Sequence, residues 1–288
     1  MLKIVLLVIL MFNSNFIFAS EEISASQLDL QTISAPELVT GNKSPTINGM
    51  GYIFLTISPI GEIFLKEEAQ ASKNLLEIGA GYNNIPIEAL KRGVLQYTAN
   101  DISKEHLNIL AYRVKEQLGN AALKNLILIE GKAPTDLPIK KNEYDAILAD
   151  KVIHFMKPEE IIRFIEWSKS ALKKNGKIYI TTASPYSKTY HKILPNYLEK
   201  LEQNIDFPGH FTNIMQSVDK SVMQNYPKYL VPNEMVLFSR NDLVKLFEKN
   251  GMKVIKSYSF KIPTETEHEY QIVSDTESNL VGIIATLN

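Results

Sequence analysis

Short apolar runs alternate with helical patterns through the middle of this 288-residue chain, and that alternation constrains its fold most strongly. The apolar, β-prone runs predict strands at Asn74–Ile78, Leu95–Ala99, Leu126–Glu130, Tyr144–Ala149 and Lys177–Thr182. The patterns between them predict helices at Ile85–Lys91, Lys104–Leu118 and Pro158–Leu172. Strands that alternate with such helices join through right-handed crossovers. The chain is therefore predicted to form a three-layer α/β fold with a mostly parallel sheet.

The alternation stops at residues 183–238, which are rich in proline and aromatic residues. This stretch is too long for a simple connection, and we expect it to cap the carboxyl edge of the sheet. A helix at Arg240–Lys249 and strands at Lys253–Phe260 and Leu280–Leu287 are predicted next, with the two strands paired as an antiparallel hairpin at one sheet edge. Residues 62–288 thus form one domain with an insertion at 183–238, and residues 21–61 form a linker and lead-in.

The N-terminus carries a separate signal. Lys3 precedes the apolar run Ile4–Phe12, and small residues follow at Ala19-Ser20, which is typical of a secretory signal peptide over residues 1–20. The run is too short for a comfortable membrane span. The alternative is a hydrophobic helix that packs on the domain or anchors it. We expect an exported protein if the signal is cleaved, and otherwise a cytoplasmic or membrane-anchored one without a stable transmembrane span.

The composition excludes several kinds of chemistry. Cysteine is absent, so disulfides, thiolate catalysis and cysteine metal sites are excluded. The formal net charge of −1 gives no whole-chain basic field, and no nucleic-acid partner is expected. No cluster of histidine, aspartate and glutamate has metal-ligand spacing, so no metal site is predicted.

The first strand of the alternation ends in an acidic, glycine-rich turn, Glu77-Ile78-Gly79-Ala80-Gly81. Glycine lets the backbone approach a ligand closely, and the helix that follows offers free N–H groups. The carboxylate of Glu77 would repel a pyrophosphate, so the turn suits a cationic or amine-bearing ligand. The second strand ends at Asp101, whose oxygens suit the two hydroxyls of a ribose. Asp101 also fits an Asx turn or helix cap before Ser103, and the two interpretations can coexist.

These residues, with two later segments, resemble the class I S-adenosylmethionine-dependent methyltransferases. The later segments are Tyr144–Asp150, around the fourth strand of the alternation, and Leu172–Ile180, around the fifth. The terminal strand pair is similar to the reversed sheet edge of that family. The resemblance implies a Rossmann-like, mostly parallel seven-stranded sheet with an antiparallel edge strand. It also implies S-adenosylmethionine as the cofactor and methyl transfer as the reaction.

The resemblance also implies roles for individual positions. Glu77 would lie near the methionine amino group, Asp101 would hold the ribose hydroxyls, and Asp150 would lie near the transferred methyl. Lys132 stands where the family often has an acidic residue at the adenine, so adenine recognition would rest on backbone groups of Lys132 and Ala133. The full set of implied cofactor-binding residues is Glu77, Gly79, Ala80, Gly81, Asp101, Lys132, Ala133 and Asp150.

Candidates for acceptor chemistry lie after the fourth strand and in the insertion. His154 could act as a general base if the acceptor must lose a proton, or it could be a packed histidine under the cap. Tyr190, His191 and His210 could line the acceptor pocket, although both residue types also serve ordinary packing. The aromatic insertion suits a small-molecule, lipid or protein acceptor better than a nucleic acid.

Two other functions stay open. A dinucleotide-dependent oxidoreductase needs Gly-x-Gly-x-x-Gly, and here Asn84 stands at the last glycine position. A module that binds S-adenosylmethionine without catalysis is compatible with Lys132 and with export, since the methyl donor is made in the cytoplasm. Binding of labelled S-adenosylmethionine compared with NAD separates the oxidoreductase from the other two.

Overall fold

The structure, a computed structural model, describes residues 20–34, 43–216, 218, 232–263 and 269–288. Its strands are β1 (Glu22–Ser24), β2 (Lys43–Pro45), β3 (Tyr52–Phe54), β4 (Asn74–Ile78), β5 (Gln96–Asp101), β6 (Leu126–Glu130), β7 (Tyr144–Asp150), β8 (Leu172–Ala183), β9 (His210–Phe211), β10 (Met235–Val236), β11 (Met252–Lys261), β12 (Gln271–Ile272) and β13 (Leu280–Leu287). Its α-helices are α1 (Pro59–Glu68), α2 (Ile85–Lys91), α3 (Lys104–Leu118), α4 (Pro158–Ala171), α5 (Leu194–Glu202) and α6 (Arg240–Lys249). The predicted signal peptide lies outside the described residues, apart from Ser20.

The central sheet runs in the order β1-β6-β5-β4-β7-β8-β13-β11-β12. The strands from β6 to β8 are parallel, and β13 lies antiparallel between β8 and β11. This confirms the predicted fold class and the reversed terminal pair. The order changes direction at β4, which pairs with β5 on one side and β7 on the other. In open α/β sheets, ligands bind at the carboxyl edge beside such a switch point.

The described sheet has nine strands, so the predicted number of seven was wrong. The two additional strands are short and lie at opposite edges. β1 comes from the segment assigned to the linker and pairs antiparallel with β6, with Ile23 opposite Leu128. β12 has two exposed residues and pairs with the end of β11. Strands of two or three residues are too short to carry a periodic signal, so the sequence pattern does not predict them.

Both faces of the sheet are covered by apolar packing. Side chains alternate along β4, so Leu75 joins the core under one layer of helices while Leu76 and Ile78 join the core under the other. Full burial of each such side chain stabilises the fold by about 1.5–3 kcal/mol. The strand at the switch point is therefore held rigidly from both sides.

Polar caps fix where the helices begin. The Ser58 Oγ accepts a hydrogen bond from the Gly61 N–H at the start of α1, and the Ser103 Oγ accepts one from the His106 N–H at the start of α3. Each cap satisfies a backbone donor that has no partner within its helix. Both serines come within three residues of a side chain that lines the site described next.

The described part of the insertion forms α5 and a short antiparallel ribbon of β9 and β10. It packs on the sheet through a separate apolar cluster of Ala183, Ile193, Ile214, Met235 and Leu237. None of the helices in the described ranges is long and apolar enough to cross a membrane.

Candidate functional site

A cavity of about 160 Å³ lies at the carboxyl ends of the strands beside the switch point. Each strand contributes through its last residues or the loop after it: β4 through Gly79, β5 through Asp101, β6 through Lys132 and β7 through Asp150. Residues far apart in the sequence thus converge because parallel strands end at the same sheet edge. All the cofactor-binding residues implied by the resemblance line this cavity except Glu77.

The turn after β4 has a conformation that requires glycine. Gly79 and Gly81 have φ values of +65° and +54°, in the left-handed region. A Cβ on Gly79 would lie 2.4 Å from a methyl carbon of Val152, and one on Gly81 would lie 2.8 Å from Ile53. The turn is tied to β5 by the Ala80 N–H, which donates to the Asn100 carbonyl at 2.8 Å. The two glycines therefore keep the turn close against the cavity wall.

The buried Asp101 carboxylate is the centre of a hydrogen-bond network. Its Oδ2 accepts from the Gly81 N–H at 2.8 Å, and its Oδ1 accepts from the Ser103 N–H at 2.9 Å. The Ile47 N–H donates to His106 Nε2 at 3.1 Å, which leaves His106 Nδ1 as the protonated nitrogen that faces Asp101 Oδ1 at 3.0 Å. A carboxylate offers about four acceptor positions, so one remains for a ligand. The Asx turn considered from the sequence is thus present.

A β-ribbon formed by β2 and β3 closes the cavity on one side; Tyr52–Ile57 is β-prone in sequence, but β2 and its pairing with β3 were not predicted. The Tyr82 hydroxyl, on the turn after β4, contacts the Ser44 Oγ at 3.1 Å and the Pro45 carbonyl at 3.2 Å. Ile47, in the ribbon's loop, bonds His106 as described above. The ribbon comes from the predicted lead-in, and its contacts join residues that are 30 or more positions apart in sequence. Such long-range contacts leave no local signal.

Glu77 lies beneath the turn. Its two oxygens accept from the Tyr97 hydroxyl at 2.6 Å and from the Asn83 side-chain amide at 2.8 Å. The Asn83 oxygen in turn accepts from the Ile85 N–H at 2.7 Å, at the first residue of α2. Burial raises the pKa of Glu77 to about 8, although both hydrogen bonds oppose the shift. The structure therefore places Glu77 as a support for the turn and α2.

The Asp150 carboxylate lies at the end of β7 and is almost completely buried. Its Oδ1 accepts from the Ser58 hydroxyl at 2.8 Å, and its Oδ2 pairs with the Lys151 ammonium. Lys151 has a left-handed φ of +62°, which is uncommon for a side chain other than glycine, asparagine or aspartate. Burial opposes the Lys151 charge, but the neighbouring acidic groups, with Asp150 first among them, together raise the pKa of Lys151. Lys151 therefore stays protonated inside the protein.

The side chain and the backbone of Lys132 are both bonded to neighbouring residues. Its ammonium pairs with Glu160 at 2.5 Å, and its backbone N–H and C=O bond the Asp136 carboxylate and N–H, each at 2.9 Å. The neighbouring Ala133 N–H has no hydrogen-bond partner among the described residues. Of the two backbone positions expected to recognise adenine, Ala133 is therefore the one with a donor to offer.

A second cavity of about 190 Å³ adjoins the first beneath the insertion. The two share four lining residues, Tyr52, Phe54, Lys151 and Phe155. Tyr190, a predicted acceptor-pocket residue, lines the second cavity. Apart from Lys151, the described residues that line it carry no charged side chain; the remainder are Gly51, His154, Ala183, Ser187, Thr189, Val218, Pro232, Met235, Ile262, Asn279 and Leu280.

The predicted base His154 lines the second cavity but is poorly suited to take up a proton. Its ring lies 4.1 Å from the Phe155 ring, and its Nδ1 lies 3.3 Å from the Thr182 hydroxyl. Burial, together with the neighbouring Lys151 cation, lowers the pKa of His154 to about 3. A general base works best when its pKa lies near the operating pH. The structure thus favours the packed histidine.

The two other histidines proposed for acceptor binding line neither cavity. His191 is exposed on a 3-10 turn and contacts the Lys188 carbonyl at 3.0 Å. His210 lies on β9 and pairs with Glu234 at 2.8 Å. No group of three or more possible metal ligands occurs within the described ranges, and the Glu265–Glu269 acidic run falls outside them except for Glu269.

Comparison with known proteins identifies the family. A family model described as a methyltransferase domain matches residues 56–257. A search of curated proteins gives no match. The solved structures that resemble this chain include an S-adenosylmethionine-dependent methyltransferase from Methanosarcina mazei, with 19% identity over 80% of this chain and 98% of that chain and a TM-score of 0.53.

Two further structures give the same TM-score of 0.53. One is a glycopeptide N-methyltransferase complexed with sinefungin, with 14% identity over 85% of this chain and 100% of that chain. The other, from Rhodobacter sphaeroides, is provisionally described as a zinc-dependent alcohol dehydrogenase, with 16% identity over 81% of this chain and 92% of that chain. At identities below 20%, these likenesses show a shared fold and not a shared function. The match to the methyltransferase-domain model and the geometry of the site therefore decide between a methyltransferase and a dehydrogenase.

Proposed function

The chain belongs to the methyltransferase-domain family, and from this we propose that it transfers a methyl group from S-adenosylmethionine to a small-molecule acceptor. The observation that carries the proposal is the pair of adjoining cavities. One lies at the strand ends around the glycine turn, the other lies beneath the insertion, and Lys151 with three aromatic residues separates them. Two ligands can therefore meet at one boundary.

The residues of the first cavity fit S-adenosylmethionine. The left-handed glycines bring the backbone close to the cavity, Asp101 keeps one acceptor position for a ribose hydroxyl, and the buried Asp150 carboxylate suits a positive charge. The Ala133 N–H is a donor for an adenine nitrogen. When bound, S-adenosylmethionine supplies an electrophilic methyl group on a positively charged sulfur. The chain's own residues align the two ligands and exclude water.

The largely apolar second cavity supports a small molecule as the acceptor. Aromatic and aliphatic side chains line most of it, as is usual for a small-molecule site. A nucleic-acid acceptor is disfavoured by the formal net charge of −1. Export of the protein is a separate proposal, because residues 1–19 lie outside the described part. N-terminal sequencing of the mature protein tests it, and an intact Met1 would argue against cleavage.

Calorimetry with S-adenosylhomocysteine and with NADH tests the proposed function. We expect S-adenosylhomocysteine to bind and NADH not to bind, since Asn84 stands where the dinucleotide motif needs its last glycine. Binding of NADH alone would instead support an oxidoreductase. Binding of S-adenosylhomocysteine without methyl transfer to any fraction of metabolites, lipids or proteins would support a non-catalytic binding module.

A further inference from the structure

Lys151 lies on the boundary between the two cavities and lines both. Its carboxylate partner Asp150 lines the first cavity only. An ammonium has three N–H donors, and Asp150 takes one of them. Among the described residues, Asp150 is the one hydrogen-bond acceptor of the Lys151 ammonium, so two of its N–H donors remain for a ligand.

The remaining polar groups of the second cavity largely satisfy one another. The Asn279 side chain donates to the Ser187 hydroxyl at 3.3 Å and accepts from the Ile262 N–H at 2.9 Å. The Thr189 N–H donates to the Ser187 hydroxyl at 3.4 Å. Among the described residues that line the cavity, Lys151 thus presents the one charged side chain. A ligand carboxylate would accept a charge-assisted hydrogen bond from this ammonium, stronger than one between neutral groups.

Proton removal is poorly supported at this boundary. With a pKa lowered to about 3 by burial, His154 is a weak proton acceptor near neutral pH. Lys151 is protonated, since its pKa is raised by Asp150 despite the opposing effect of burial. An alcohol or phenol must lose a proton to be methylated, whereas a carboxylate is already ionised near neutral pH.

We propose that the second cavity binds a small molecule with an apolar body and a carboxylate group, that Lys151 holds the carboxylate, and that a carboxylate oxygen accepts the methyl group. This inference rests on the proposed function and names its substrate class. The carboxylate oxygen forms the new bond to the methyl carbon while the carbon–sulfur bond breaks, and its electron pair stays on sulfur. No proton moves, and the products are a methyl ester and S-adenosylhomocysteine.

Binding of matched ligands to the full chain tests the inference. Calorimetry on protein saturated with S-adenosylhomocysteine would compare 4-phenylbutyrate and decanoate with their uncharged amides. Lys151→Gln is the test variant and Lys151→Arg the charge-retaining one, while Lys249→Gln removes an exposed lysine far from both cavities. We expect Lys151→Gln to weaken carboxylate binding by about tenfold or more, because a charge-assisted hydrogen bond is lost. Lys151→Arg should retain most of the affinity, and Lys249→Gln should change nothing.

The failure of this inference is distinguishable from failure of the proposed function. If S-adenosylhomocysteine binds but the amides bind as tightly as the carboxylates, or Lys151→Gln leaves carboxylate binding unchanged, the carboxylate class is overturned and the proposed function stands. If S-adenosylhomocysteine does not bind, both fall. A methyl-transfer assay is the second measurement. Transfer to 4-phenylbutyrate should give a methyl ester that base hydrolyses. Preferred transfer to the matched 4-phenylbutylamine or 4-phenylbutanol would overturn the assignment. The amide comparison on unmodified protein keeps the test valid if Lys151→Gln fails to fold.

Discussion

Glu77 makes the stability of this fold depend on pH in a direction opposite to most carboxyl groups. An unfolded glutamate loses its proton near its ordinary pKa of 4.5, whereas burial holds the folded pKa of Glu77 at about 8. Between these values the folded state keeps a proton that the unfolded state has lost. The Glu77 contribution to stability is therefore fully present below about pH 4.5 and is lost as pH rises toward about 8.

The magnitude follows from the difference between the two pKa values. A change from 4.5 to about 8 spans about 3.5 units. At about 1.4 kcal/mol per unit, the free energy of unfolding would fall by at most about 5 kcal/mol across this range. Glu77→Gln is the informative variant, because it keeps the shape of the side chain without a titrating group, and its carbonyl can accept from the Asn83 amide as the Glu77 oxygen does.

Urea denaturation at intervals from pH 4.5 to 8.5 measures the effect. Plotted as Glu77→Gln minus wild type, the free energy of unfolding should rise with pH and level off near pH 8. Taking the difference cancels other titrations, including that of His154, whose lowered pKa makes stability rise with pH up to about 6.5. The exposed Glu105→Gln serves as the control for removing a carboxyl group outside the buried network. A flat curve for Glu77→Gln would refute the reasoning that burial dominates at Glu77.

Two further variants test the geometry of the turn and its network. Gly79→Ala should destabilise the protein by roughly 2–4 kcal/mol in urea denaturation, from left-handed strain plus the clash with Val152. Gly93→Ala, also at positive φ but with nothing within 4 Å of the added Cβ, should cost less, and equal costs would contradict the clash. Asp101→Asn should weaken S-adenosylhomocysteine binding about 10- to 100-fold in calorimetry, since its amide faces the N–H donor of Gly81 or His106. Unchanged affinity with an unchanged circular dichroism spectrum would remove Asp101 from the site.

The sequence predicted the frame of the site because its signals are local. The helix α3 and the strands β4 and β6 have the predicted bounds, since each is set by its own periodicity and caps. Because parallel strands end at one sheet edge, the positions of Gly79, Asp101 and Asp150 followed from the strand pattern. The sequence therefore predicted which residues meet at the carboxyl edge of the sheet.

The sequence did not predict how those residues are bonded. The contact between Ile47 and His106 joins a ribbon loop to a helix, and neither segment has a pattern that indicates the other. Glu77 had a usable signal: alternation along β4 puts it on the same face as Leu75 and away from Ile78, which lines the cavity. The shifted pKa values of Glu77 and His154 arise from burial in the folded structure, which the sequence does not show.

The positions of Asp150 and Lys151 give the proposed reaction a consequence for product release. In the proposed complex, Asp150 would lie beside the sulfonium in the first cavity, and Lys151 would hold the acceptor carboxylate in the second. Transfer of the methyl group to a carboxylate removes the sulfonium charge and the carboxylate charge in one step, so the Asp150–Lys151 pair then faces an uncharged thioether and an uncharged ester. We expect methyl 4-phenylbutyrate to bind at least about tenfold more weakly than 4-phenylbutyrate in calorimetry on wild-type protein, with the two affinities converging in Lys151→Gln. Equal affinities in wild type would mean that charge at Lys151 does not distinguish acceptor from product.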